Sequence, residues 1–339
     1  ELFDKNGGIL LAHSFDAVRN GVYRVREFEK AFANRLGSPH AQAVSSGTAA
    51  LKVGLKALGV GPGDEVITQS FTFVATVEAI LDTGATPVIV DIDDTLNICP
   101  KSLESAITKK TKVILPVHMM GTAANMDAVM ALAKKYQLKV LEDTAQACGG
   151  TYNGKLLGTI GSIGAFSTDA GKTLSTGEGG MVLASDENLF TRARALHDHG
   201  HEYSTTVGRG EEAALRWGFN YRMTELQGAI GLVQLSKLDY ILEKQRENKR
   251  KLKEAIDTSR FRFRNILNPE GDIADTLVIF LESAGQARKL VAGMKKQSLG
   301  TKNLPDAISW HFAAYWSHIF SEDGSSSVES LKSRWKQST

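Results

Sequence analysis

Cysteine is scarce in this chain: its 339 residues hold two, Cys99 and Cys148. That argues against a disulfide framework and is compatible with the cytoplasm. Neither sign of charge dominates. Forty Lys and Arg face 38 Asp and Glu, for a formal net charge of +2, so there is no electrostatic case for nucleic acid or an anionic membrane surface as partner. No apolar run is long enough to span a bilayer. The opening Glu1-Leu2-Phe3-Asp4-Lys5 has no basic flank before an apolar stretch, so no secretory signal is expected. No repeat of fixed period stands out, and only Ser325-Ser326-Ser327 is mildly biased, as a loop would be. What is there is the mix of a soluble globular protein: 42% hydrophobic and 23% charged residues, enough for a sizeable core. The length suits a large domain plus a smaller one.

From residue 41 to about 185, short β-rich runs alternate with helical patterns. The runs are Glu65–Gln69, Pro87–Asp91, Lys112–His118, Lys139–Glu142 and Met181–Ser185; between them lie Thr48–Leu58, Phe73–Asp82 and Asp127–Tyr136. This order predicts an α/β fold with a mostly parallel sheet and helices on both faces. Strand runs that are apolar throughout suit a sheet buried on both sides. Thr224 opens a helical pattern reaching about Ile256, its second half, Glu243–Glu254, charged and expected to be solvated. Beyond it Arg260–Arg264 and Thr276–Leu281 read as strands and Ala284–Lys296 as a helix. Residues 1–240 are therefore expected to form an N-terminal segment and large domain, and 241–339 a small C-terminal α+β domain.

The chemistry concentrates between Leu141 and Gly180. Glu142-Asp143 stands at the C-terminal end of an apolar strand, where open parallel sheets bind ligands. A Gly-rich region leads to Ser167 and Lys172 and ends in Gly177-Glu178-Gly179-Gly180. A pyridoxal-phosphate (PLP) enzyme needs a lysine to hold the cofactor as an imine, a carboxylate for the pyridinium nitrogen, a helix N-terminus and hydroxyls for the phosphate, and an apolar group on the ring face. Lys172, Asp143, the Ser46-Gly47-Thr48-Ala49 turn and Phe73 are candidates for each. A lone lysine is usually a solvated surface residue, and an aromatic on a helical face is normally core; their places in this series set Lys172 and Phe73 apart. Other constellations fail. Gly171-Lys172-Thr173 lacks the glycine that a nucleotide phosphate loop needs five positions before Gly171, where Phe166 stands. Gly59-Val60-Gly61-Pro62-Gly63 precedes a strand and holds a proline, unlike a dinucleotide fingerprint. His197, His199 and His201 fall where a helical pattern ends and a Gly turn begins, so they do not share one helix face as a metal pair would, and no metal is expected. Cys148 reads as a small buried residue.

Glu142-Asp143-Thr144-Ala145-Gln146-Ala147, then Gly161–Ser167, Gly171-Lys172-Thr173 and Gly177-Glu178-Gly179-Gly180, in that order, resemble the DegT/StrS-type sugar aminotransferases of the fold-type I PLP superfamily, which are aspartate aminotransferase-like in fold. The resemblance runs from about Val25 to Leu235. It implies that Lys172 forms the Schiff base, Asp143 pairs with the pyridine nitrogen and Gln146 lies near the phenolic oxygen. It further implies that Phe73 stacks on the ring, that Thr48, Ala49 and Ser167 hold the phosphate, and that Asn220 reaches the phosphate of a neighbouring subunit. A homodimer with shared active sites follows from that last role. Thr168 departs from the pattern, standing where relatives have an aromatic. A histidine in place of the lysine marks dehydratases of the family; Lys172 favours transamination.

The reaction so implied passes an amino group, with L-glutamate as donor, through pyridoxamine phosphate to a keto- or aldehydo-sugar. Most relatives act on nucleotide-linked hexoses for cell-surface polysaccharide or lipopolysaccharide. Alternatives are a non-nucleotide eight-carbon acid sugar of the 8-amino-3,8-dideoxy-manno-octulosonate type, a PLP/PMP-dependent sugar dehydratase and a non-catalytic PLP sensor. Lys302, Asn303, Trp310 and His311 fall in the substrate-facing C-terminal region of relatives and are candidates to hold a sugar or its carboxylate.

Overall fold

The computed structural model describes residues 21–204, 206–207, 211–212, 217–257, 259, 261–301, 303–304, 308–316 and 319. Helix α1 (Arg24–Leu36) leads into β1 (His40–Val44), α2 (Gly47–Ala57), β2 (Glu65–Gln69), α3 (Ala75–Asp82), β3 (Thr86–Val90), α4 (Pro100–Ala106), β4 (Thr111–Ile114), α5 (Met126–Tyr136) and β5 (Lys139–Asp143). A small ladder of β6 (Thr151–Tyr152) and β7 (Lys155–Leu156) precedes β8 (Ile163–Ser167), β9 (Gly180–Ala184) and α6 (Glu187–His197). The long α7 (Glu225–Ala255) is followed by β10 (Arg262–Phe263), β11 (Ile279–Phe280), α8 (Ala284–Lys296) and α9 (Ile308–His311).

Seven strands form one sheet in the order β1-β9-β8-β5-β4-β2-β3. The pairs β2–β3, β2–β4, β4–β5 and β5–β8 are parallel; β9 runs antiparallel to both of its neighbours. Burial on both faces is the reason that these strands read as unbroken apolar runs. In β9, Val182 and Ala184 join the core beneath α2 and α6, whereas Met181 and Leu183 point the other way, toward α1 and α7. Further along, Val140 and Ile114 pack with Leu103 of α4 and Val129 of α5. The period of two carries functional weight in β5: Leu141 shares the α2 face, so Asp143 points to that side and Glu142 to the other.

Most of the expected elements recur within a residue or two of their expected ends, and some are shorter. Pro116 has no amide to continue a ladder, so β4 stops at Ile114, although Leu115 still donates to the Ile67 carbonyl. Phe73 lies before α3, on the turn that enters it, and not on a helical face. The strands expected at Arg260–Arg264 and Thr276–Leu281 contract to two residues each, with Arg260 outside the described residues. Helix α7 begins where the pattern placed it, because Thr224 and Gln227 close a reciprocal capping box. Its charged second half is solvated as expected, with one exception: Lys249 is buried against Asp272.

Candidate active site

Six of the seven strands point the same way, so the C-terminal ends of β1, β2, β4, β5 and β8 converge on one edge of the sheet. Each carries a piece of the site just beyond its last residue. After β1 comes the Ser46 turn into α2, after β2 the segment 70–74, after β4 the segment 115–118, at the end of β5 Asp143, and after β8 the Lys172 loop.

Asp143 is 4% exposed. Its Oδ1 accepts from the Ala145 amide at 3.1 Å and its Oδ2 from the Thr76 hydroxyl at 2.8 Å. Burial pushes this carboxyl upward; the hydrogen bonds from Thr76 and Ala145 and the charge of Lys172 oppose that push. The Lys172 loop is pinched at its base, where the Thr168 amide donates to the Gly179 carbonyl and the Thr176 amide to the Thr168 carbonyl. Lys172 itself is half-buried, and among the described residues its ammonium makes no hydrogen bond or ion pair. Thr168 is buried with its hydroxyl 2.7 Å from that of Thr176, so a hydroxyl pair ties the base of the loop.

The turn into α2 forms a cradle. Ser46 caps the helix by accepting from the Ala49 amide at 3.0 Å, which leaves the Gly47 and Thr48 amides at the open end of the helix without a carbonyl one turn back. A Cβ on Gly47 would come within 2.7 Å of the Ser167 Cβ, so only glycine lets the turn and β8 approach this closely. Ser167 is buried, and its Oγ accepts from the Asp169 amide. Gln146 is oriented by its carbonyl oxygen, which accepts from the Met120 amide at 3.0 Å and leaves the NH2 group to donate elsewhere.

Phe73 is 42% exposed and lies parallel to Trp310, with ring centroids 6.1 Å apart. The His311 ring is 5.6 Å away. This grouping has a backbone cause. Residues 310–313 run antiparallel along 70–74: Thr72 donates to the His311 carbonyl, Val74 to that of Trp310, and Ala313 to that of Ser70. Phe71 and Phe312 stack at 4.6 Å, and Trp316 is fully buried beside Val74 and Val77. Asn303 is half-buried without a described contact, and Lys302 lies outside the described residues. Asn220 is exposed and bridges Asp198, and the carbonyl of the next residue, Tyr221, accepts from the Ser45 amide beside the Ser46 turn.

Several groups here had no role assigned from the sequence. Glu142 is completely buried and accepts from His118 Nε2 at 3.0 Å and from the amides of Gly158, Ile160 and Gly161. Since His118 Nδ1 accepts from the Ala124 amide, Nε2 must carry the hydrogen that Glu142 receives. This pair fastens the backbone on both sides of Asp143, whose carbonyl takes the His118 amide. Arg264 donates to the carbonyls of Thr95 and Met119, holding the turn that presents the Met120 amide to Gln146. Asp275 is open to solvent, yet enough protein surrounds it that its carboxyl is pushed up, with Lys172 among the charges opposing the rise. Only the Glu-Asp pairing at the strand end could have flagged Glu142; the others meet the site through distant contacts.

Known proteins resemble this chain closely enough to name its kin. It is 47% identical over 231 residues to the spore coat polysaccharide biosynthesis protein SpsC of Bacillus subtilis (strain 168), an overlap of 66% of this chain and 59% of SpsC. It is 44% identical over 219 residues to the GDP-perosamine synthase of Caulobacter vibrioides, covering 63% of this chain and 56% of that enzyme. The chain thus spans less than two thirds of the length of either relative. Among solved structures, NtdA of Bacillus subtilis with bound cofactor PMP superposes with a TM-score of 0.73 at 30% identity, over 81% of this chain and 62% of NtdA. The model of the DegT/DnrJ/EryC1/StrS aminotransferase family matches residues 13–328, and the chain belongs to that family.

Proposed function

We propose that this chain is a PLP-dependent aminotransferase that moves an amino group from L-glutamate to the carbonyl of a sugar, nucleotide-linked and destined for a cell-surface polysaccharide. One observation carries the reading: in a chain of this family, a buried carboxylate and a lysine without a partner among the described residues face the same sheet edge, beside a helix N-terminus and an open aromatic ring. The residues fit the cofactor. The amides of Gly47 and Thr48 and the hydroxyls of Thr48 and Ser167 offer donors to a phosphate, with the Ala49 amide engaged by the Ser46 cap beside them. Asp143 would receive the pyridine nitrogen, Gln146 would donate to the phenolic oxygen, and Phe73 would cover a ring face. When bound, the cofactor supplies an electron sink for the carbon that exchanges its amino group.

The chain's residues do the rest. Lys172 anchors the cofactor and, once released, moves a proton between the reacting carbon and its own Nζ. Asp143 holds a proton on the ring nitrogen. Trp310, His311 and Asn303, with Lys302, stand for the sugar; an aromatic face against a sugar ring and a flanking imidazole are the groups such a ligand needs. The donor glutamate and the nucleotide-linked acceptor rest on the family and on what its named members act on.

A homodimer with shared sites belongs to the same proposal. Large apolar side chains stand exposed between Trp217 and Tyr240, namely Trp217, Phe219, Leu226, Ile230, Val233 and Tyr240, an apolar surface of the kind that partners cover. Asn220 lies in that stretch, exposed and able to reach a neighbour.

The test is the near-UV and visible absorbance of the protein with PLP, before and after excess L-glutamate. The expected result is a band of lysine-bound cofactor that glutamate converts to the pyridoxamine form. Lys172→Ala should lack the band and all turnover; a variant that still turns over would overturn the assignment.

A further inference from the structure

Asp143 is held by a chain of hydroxyls. Thr76, in the first turn of α3, is 1% exposed, and its Oγ1 lies 2.8 Å from Asp143 Oδ2. The same oxygen lies 2.8 Å from Oγ1 of Thr72, which is fully buried. Proton counting fixes the direction. An ionised carboxylate only accepts, so the one hydrogen of Thr76 goes to Asp143, and Thr72 must donate to Thr76. The competing acceptor for Thr72, the Phe73 carbonyl, is 3.4 Å away and weaker. Thr72 is fixed in turn, because its amide donates to the His311 carbonyl. The relay therefore runs from the segment bearing Trp310 and His311, through two buried hydroxyls, to the carboxylate.

We propose that Thr76, backed by Thr72, is a positioning residue that aims the Asp143 carboxylate at the cofactor nitrogen and keeps it in its charged, acceptor-only form. This rests on the aminotransferase reading given above. Burial of Asp143 favours its neutral form, and a neutral acid would no longer hold a proton on the ring. A donor to the carboxylate opposes that, and hydrogen bonds to charged groups are the strong ones. Thr76→Val keeps the shape and removes only the donor.

The probe is pyridoxamine 5′-phosphate, which binds without a bond to Lys172 and so reports on Asp143 directly. Its dissociation constant is followed by fluorescence titration across pH, with folding checked by circular dichroism. Thr76→Val should weaken binding about tenfold and move the acid limb of the affinity profile to higher pH. Thr76→Ser, which keeps the hydroxyl, should restore both, and Thr72→Val should shift both in the same direction by less. Wild-type affinity and an unmoved limb in Thr76→Val and Thr72→Val would overturn the proposal. Equal weakening in Thr76→Val and Thr76→Ser, with no movement of the limb, would also overturn it, since packing alone does that. If the wild type itself fails to bind the probe, the aminotransferase reading falls and takes this inference with it.

Discussion

Glu29 of α1 accepts from Gln42 Nε2 at 2.7 Å and from the Ala43 amide at 2.8 Å, and burial pushes its carboxyl up to about 7 against the opposing charges of Arg194 and Arg26. In the unfolded chain a glutamate releases its proton near 4.5. Between those values the native state binds the extra proton, so stability declines as pH rises through that window. Glu29→Gln keeps an oxygen for both donors and carries no charge. Calorimetry should find the variant more stable than the wild type at about pH 8, with the difference shrinking toward about pH 5. Asp143 and Lys172 stood out as candidates in the sequence because their neighbours in the chain mark them: an apolar strand before the first, glycines after the second. Thr76 could not, since the carboxylate that makes it matter is 67 residues away. Nor did the sequence reveal that the Ala49 amide serves the Ser46 cap.

At the level of elements, α1 and α7 pack so closely that Gly231 faces the Phe28 ring. A Cβ there would lie 2.7–2.8 Å from three ring atoms, and Phe28 is fully buried. Alanine is the better helix former by about 1 kcal/mol, but overpacking a tight core costs about 1–3 kcal/mol. Gly231→Ala should therefore lower the denaturation midpoint in urea; a higher midpoint would mean that the ring can move aside. Helices with strong amphipathic patterns, such as α5 and α8, were legible almost to the residue, because periodicity and caps agree at their ends. Strand ends were not. Pro116 shortened β4, and the two-residue strands β10 and β11 are settled by pairing with each other. The position of Trp310 and His311 against Phe73 was equally illegible: nothing local in 310–313 indicates that its partner is 70–74.

For the molecule as a whole, the apolar side chains between Trp217 and Tyr240 bear on assembly. If they cover one another in a pair of chains, light scattering on the eluted protein should return the mass of two. Val233→Glu places a charge in the centre of the exposed α7 stripe and should shift that mass toward one, with turnover falling alongside if Asn220 serves the neighbouring site as proposed. A dimer undisturbed by this change would place the contact elsewhere. Among the described residues no helix is long and apolar enough to cross a membrane.

The pairing of residues 310–313 with 70–74 joins stretches more than two hundred residues apart in the chain. On the ribosome, the sheet edge with Asp143 and Lys172 emerges long before the strand-like segment that braces Phe73 and Thr72. Until that late segment docks, the wall bearing the ring and the relay to the carboxylate lacks its backbone partner. Loading of the cofactor would then be a late event in the birth of the protein, following synthesis of nearly all of the described chain, and a nascent chain stalled before residue 310 would hold it poorly.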